Sequence, residues 1–113
     1  MVKIEAVIQP SRLADVTAAL RDLDVARVSI SEVLSHGGSH SQKVVYRGFE
    51  YATDTPMMKL ELLVSSLCAD EAVEAISRAA RTRRDCDDGA ILVFEVAEAV
   101  SIRSGARGEF AMS

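Results

Sequence analysis

Apolar and polar residues alternate along the first stretch of the chain. Between positions 2 and 9, Ile4, Ala6 and Ile8 fall on one face and Lys3, Glu5 and Gln9 on the other. That period of two predicts a strand with one buried side. Pro10 ends it, and Ser11 is a candidate helix cap. Leu13, Val16, Leu20 and Leu23 then recur at spacings that form one stripe of an amphipathic helix, roughly 12–22. The alternation returns over 26–35, with Val28, Ile30 and Val33 as apolar members, and again from Met57 to Ser65 after Pro56. A second helix is expected from Cys68 to Arg81, with Ala72, Ala75, Ile76, Ala79 and Ala80 as a small-residue stripe that can pack close to a sheet. The apolar run Ile91 to Val96 reads as a central strand. Val100 and Ile102 point to a short further one, and the tail after Gly105 has no period.

Lys3-Ile4-Glu5-Ala6-Val7 is echoed by Lys59-Leu60-Glu61-Leu62-Leu63, and each opens a strand–helix–strand unit. Two such units give βαββαβ, a ferredoxin-like α+β domain spanning 1–113, with an antiparallel sheet and both helices on one face. Residues 91–94 are apolar on both sides, so the other face would stay uncovered. An uncovered apolar face predicts self-association through the sheet.

The pattern breaks between His36 and Thr55. A structureless connection that long is uncommon inside a small domain unless it is functional or disordered. This one carries Tyr46-Arg47-Gly48-Phe49-Glu50-Tyr51, residues that suit contact with a partner. The chain thus reads as a scaffold that presents one loop.

Composition narrows the function. Of 113 residues, 49 % are hydrophobic, enough for a core, and there is no tryptophan. A net charge of −4 argues against binding a nucleic-acid backbone. No apolar run approaches a membrane span, and Met1-Val2-Lys3-Ile4 has no signal-peptide layout. Cys68 and Cys86 lie far apart, so reduced thiols in a cytoplasm are the expectation.

No Gly-x-Ser-x-Gly, Walker loop, Cys-x-x-Cys or His-Glu-x-x-His is present. Three clusters remain. Asp85-Cys86-Asp87-Asp88-Gly89 is either a solvated polar turn or a glycine-centred loop whose N–H groups meet a phosphate. Arg103, with Arg107 beyond it, is either a surface arginine or a phosphate fork. His36-Gly37-Gly38-Ser39-His40 offers two imidazoles, but two ligands on a glycine-rich loop do not make a closed metal site. A metal-binding ferredoxin-like trimer and a small interface enzyme using Glu61, Asp88 and Arg103 are the competing classes.

In four places the chain resembles the P-II nitrogen-regulatory signalling proteins. These are Lys3-Ile4-Glu5-Ala6-Val7-Ile8-Gln9-Pro10 with Leu13, Tyr46-Arg47-Gly48 with Glu50-Tyr51, Asp88-Gly89 with Ile91, Val93, Phe94 and Val96, and Ile102-Arg103-Ser104-Gly105. The resemblance implies a non-catalytic homotrimer that binds adenine nucleotide between subunits. The loop at 36–55 corresponds to the family's T-loop, 82–90 to its B-loop and 97–113 to its C-terminal segment. Implied nucleotide contacts are Val7, Ser29, Gly37 and Gly38, then Glu61 and Leu63, then Asp87, Asp88, Gly89 and Arg103. The T-loop would dock on a target, a membrane transporter or a metabolic enzyme, through Tyr46, Arg47, Phe49, Glu50 and Tyr51. A transporter would recruit the protein to the inner membrane face. Tyr51 matches the tyrosine that some members carry as a modification site. Some relatives act in bicarbonate uptake or carboxysome function, which is the alternative target.

Departures from the family pattern shape the ligand expected. Ser39 and Met57 stand where the family has a glutamine and a lysine that engage Mg²⁺ and 2-oxoglutarate. Neither residue can replace those contacts. Ala90 and Ser101 stand where the family has a lysine and an arginine, and Asp87 where it has a glycine. Fewer cations and one more anion favour ADP or AMP over ATP, with weak or absent 2-oxoglutarate sensing. Arg83 and Arg84, in a B-loop longer than the family's, are candidates to compensate.

Overall fold

The computed structural model describes residues 1–23, 25, 27–36, 43–47, 49–52, 54–82 and 88–108, and for 43–46 and 49–52 the backbone alone. The first strand, β1, is Val2–Ile8; a 3-10 turn, Pro10–Arg12, leads into helix α1, Leu13–Asp22. Strand β2 is Ser29–Ser35, and two short strands follow, β3 at Lys43–Tyr46 and β4 at Phe49–Ala52. Strand β5 is Thr55–Val64, helix α2 is Ala69–Ala80, and strand β6 is Gly89–Glu95.

Four strands form an antiparallel sheet in the order β2-β5-β1-β6. Together with the two helices they give the expected βαββαβ order. Alternation sorts each strand onto two faces. Val2, Ile4, Ala6 and Ile8 of β1 and Leu60, Leu62 and Val64 of β5 face the helices and are buried. They pack against Val16 and Leu20 of α1 and Ala69, Ala72, Ile76 and Ala80 of α2. Ile4, Ile8, Val16, Leu20, Leu60 and Ile76 are fully enclosed. Each large aliphatic side chain so enclosed stabilises the fold by about 1.5–3 kcal/mol.

Several sequence expectations need correction. The connection between β2 and β5 ends one residue earlier than read, because β5 begins at Thr55 and pairs with β2 from its first residue, Thr55 opposite Ser35. It also contains structure of its own: β3 and β4 form a hairpin with Tyr46 opposite Phe49. Arg47, the first of its two turn residues, has φ 53°, the left-handed geometry that two-residue hairpin turns demand. Strand β6 is not central. It pairs with β1 alone and lies at an edge, so Leu92, Val93 and Phe94 remain about half exposed. Ser11 caps nothing: it sits inside the 3-10 turn, and the residue preceding α1, Arg12, makes no side-chain cap.

Nor do Val100 and Ile102 form a strand. The segment folds back on itself through one bridge, Val100 to Arg107, with Ser101 N–H donating to Ala106 O at 2.8 Å and Gly105 N–H to Ser101 O at 2.8 Å. Ile102 and Arg103 stand exposed at the tip of this turn.

Candidate functional site

The start of β6 is pressed hard against the end of β1. Gly89 opposes Ile8 in the ladder and has φ 103°, a left-handed conformation suited to glycine. A Cβ there would lie 1.7 Å from the carbonyl oxygen of Val7. The preceding residue, Asp88, is held from the other side. Its carboxylate accepts from the Thr82 N–H at 3.1 Å and from the Thr82 hydroxyl at 2.5 Å. Thr82 and Asp88 are thereby clamped together.

Beside this clamp lies a cleft of about 320 Å³. Val7 and Ile8 form one wall, the end of α2 another through Ser77, Ala80 and Arg81, and the opening of β6 the third, Asp88 to Ile91. The volume falls in the range of small-ligand sites. Of the residues implicated by sequence, Val7, Asp88 and Gly89 meet here. Sequence reasoning did not single out Ser77, Ala80, Arg81 or Thr82 as site residues. Arg81 is the one cation among the described lining residues.

A second group of candidates lies on the sheet face turned away from the helices. Ser29 is opposite Glu61, and Leu63 is opposite Lys3. Glu61 belongs to a closed ring of charges. Lys3 Nζ is 2.9 Å from Glu5 and 3.1 Å from Glu61, while Lys59 Nζ is 3.4 Å from Glu61 and 3.8 Å from Glu5. The ring follows from register: Glu5 and Glu61 are direct neighbours across β1 and β5, and a lysine flanks each diagonally. Hydrogen bonding to Lys3, above all, holds the Glu61 carboxyl below its ordinary 4.5, and hydrogen bonding to Glu5 and then Glu61 raises Lys3 above 10.5. The centre of this face is therefore polar, as the placing of Lys3 and Glu5 on the outer side of β1 anticipates, with Leu92 and Phe94 beside it.

Arg103 is exposed and has no hydrogen bond or ion pair among the described residues, whereas Arg107 pairs with Glu98. His36 Nδ1 lies 2.6 Å from Asp54 Oδ1, just past the last β2–β5 pair, so His36 closes the neck of the loop. Among the described residues no three metal-ligating side chains gather. Gly37, Gly38, Ser39, His40, Arg83, Arg84, Cys86 and Asp87 lie outside the described residues, as do the side chains of Tyr46, Phe49, Glu50 and Tyr51. Cys68 is a free, exposed thiol. No helix among the described residues is long and apolar enough to cross a membrane.

Comparison with known proteins agrees with this geometry. The family model "Nitrogen regulatory protein P-II" matches residues 1–106. A nitrogen regulatory protein P-II of Rhodospirillum rubrum is 38 % identical over 109 residues, covering 96 % of each chain. Nitrogen regulatory protein P-II 1 of Escherichia coli is 36 % identical over 113 residues, covering 99 % of this chain and 100 % of its own. The crystal structure of Arabidopsis thaliana PII bound to citrate superposes with a TM-score of 0.79 at 27 % identity, covering 97 % of this chain and 90 % of that one. The strand and helix order shared with that structure and a family match over nearly the whole length agree, and the chain belongs to the P-II family of nitrogen-regulatory signalling proteins.

Proposed function

We propose that this protein is a non-catalytic signalling subunit that binds adenine nucleotide, ADP or AMP in preference to ATP, between the subunits of a homotrimer. It would regulate a membrane transporter or a metabolic enzyme through the loop between β2 and β5. The observation that carries the ligand preference is the cleft at the opening of β6. Asp88, Gly89 and Ala90 line it without a lysine, and one arginine is the whole of its described positive charge. A triphosphate needs more cations than this wall offers. Arg103, exposed on the C-terminal turn and without an ion pair among the described residues, is the second cation available to a phosphate. Half-exposed Leu92 and Phe94 on the open sheet face support self-association.

The test is a calorimetric titration with AMP, ADP and ATP, each with and without Mg²⁺ and 2-oxoglutarate, on the native protein and on Arg103→Ala. ADP or AMP binding that weakens in the variant and ignores 2-oxoglutarate supports the reading. Mg-ATP binding strengthened by 2-oxoglutarate would instead make the protein a sensor of that acid despite Ser39, Met57 and Ala90.

A further inference from the structure

We infer that Arg81 is the residue of the cleft that meets the nucleotide's phosphate, a role taken by the end of α2 because the opening of β6 carries no cation. The inference rests on the nucleotide reading above and names the group on which its phosphate selectivity depends.

Arg81 is the residue immediately after α2, and its backbone turns extended there, φ −68° and ψ 133°. An arginine at a helix C-terminus is ordinarily drawn to the last carbonyls. Here that work is done by a different residue. Arg12, reaching from the 3-10 turn, donates from Nε and Nη2 to the carbonyl of Ala79 at 3.0 and 2.8 Å. Arg81 makes no hydrogen bond or ion pair among the described residues, and its side chain is exposed on the cleft wall. Arg78, one turn earlier, is paired with Glu74 at 3.3 Å. Of these three arginines, Arg81 is the one left for an incoming anion.

The surroundings suit a phosphate. Ser77 adds a hydroxyl donor to the same wall, and Ala80 is small enough to leave room beside it. The Asp88 carboxylate, which would repel an anion, is occupied by two donors from Thr82. It still carries its charge, which weighs against each additional phosphate. A guanidinium can grip phosphate oxygens with two N–H groups at once, which a single ammonium cannot. One such fork in the cleft, with a carboxylate close by, fits a ligand with one or two phosphates.

The experiment compares adenosine, AMP and ADP on the native protein, Arg81→Ala, Arg81→Lys and Arg78→Ala by calorimetry, with thermal unfolding as the control for folding. The expected result is a roughly tenfold or greater loss of ADP affinity in Arg81→Ala, the scale of one charged hydrogen bond. Adenosine affinity should stay unchanged, Arg81→Lys should fall between, and Arg78→Ala should match the native protein. If the native protein takes ADP and Arg81→Ala takes it equally well, the inference is wrong while the nucleotide reading stands. Equal weakening of adenosine and ADP also overturns it, since the side chain would then be shaping the cleft rather than holding phosphate. A native protein that takes none of the three ligands overturns the nucleotide reading, and the inference with it.

Discussion

The carbonyl oxygen of Val7 occupies the space that any side chain at Gly89 would need, 1.7 Å from the position of its Cβ. The contact is backbone against backbone, so no rotamer change relieves it. Gly89 also holds φ 103°, which an L side chain resists. Gly89→Ala should therefore separate β6 from β1 at the mouth of the cleft. We expect a loss of stability of about 3 kcal/mol, measured as the shift in the urea midpoint, and loss of the proposed nucleotide binding with it.

Thr82 and Asp88 are joined by two hydrogen bonds to one half-buried carboxylate. Thr82→Val keeps the shape and the N–H but removes the hydroxyl donor. A charged hydrogen bond of this kind contributes about 1.5–3 kcal/mol. The variant should lose roughly that much stability in denaturant titration. Asp88→Asn, which turns one of the two accepting oxygens into a donor and drops the charge from the other bond, should lose at least as much.

The part of the fold written in periodic spacing was legible in the sequence. Ile4, Ala6 and Ile8 alternate because one side of β1 is buried, and Ala72, Ile76 and Ala80 recur because one side of α2 is. The hairpin of β3 and β4 was missed because the tyrosines and arginine around its turn read equally well as a contact surface. Strand β6 read as central because its apolar residues lie on both faces, yet it is an edge. Apolar content reports what a strand can bury, not whether a neighbour within the same chain buries it. At the candidate site, Asp88 and Gly89 were legible as a turn motif. Arg81 and Thr82 were not, because their roles depend on contacts that no local pattern encodes: Thr82 with Asp88, and Arg12 with Ala79 from 67 positions away.

Arg12 joins two elements distant in sequence. Its guanidinium caps the Ala79 carbonyl and pairs with Asp15 at 2.9 Å. Arg12→Ala should leave that carbonyl without its partner and fray the last turn of α2. The expected cost is about 1–2 kcal/mol. In amide hydrogen exchange the loss should be local, with faster exchange in the last turn of α2 and little change in β5.

The charge ring on the open sheet face makes a prediction about pH. Glu61 has its carboxyl lowered from 4.5, first by hydrogen bonding to Lys3. A carboxyl depressed in the folded state binds its proton more readily when unfolded, so its stabilisation is present above the ordinary carboxylate range. It fades as pH falls through the folded value. Lys3 is raised from 10.5 by Glu5 and then Glu61, so its contribution is present below that value and fades as pH rises through the folded one. The native protein should therefore exceed Glu61→Gln in stability at neutral pH, with the gap closing as pH falls through and below the ordinary carboxylate range. All four groups are at least partly exposed, so the neutral-pH gap should also shrink as salt is raised to about 1 M. Thermal unfolding of both proteins at matched pH and salt measures this. A gap that persisted unchanged through acid would mean that Glu61 contributes by packing and not through its charge.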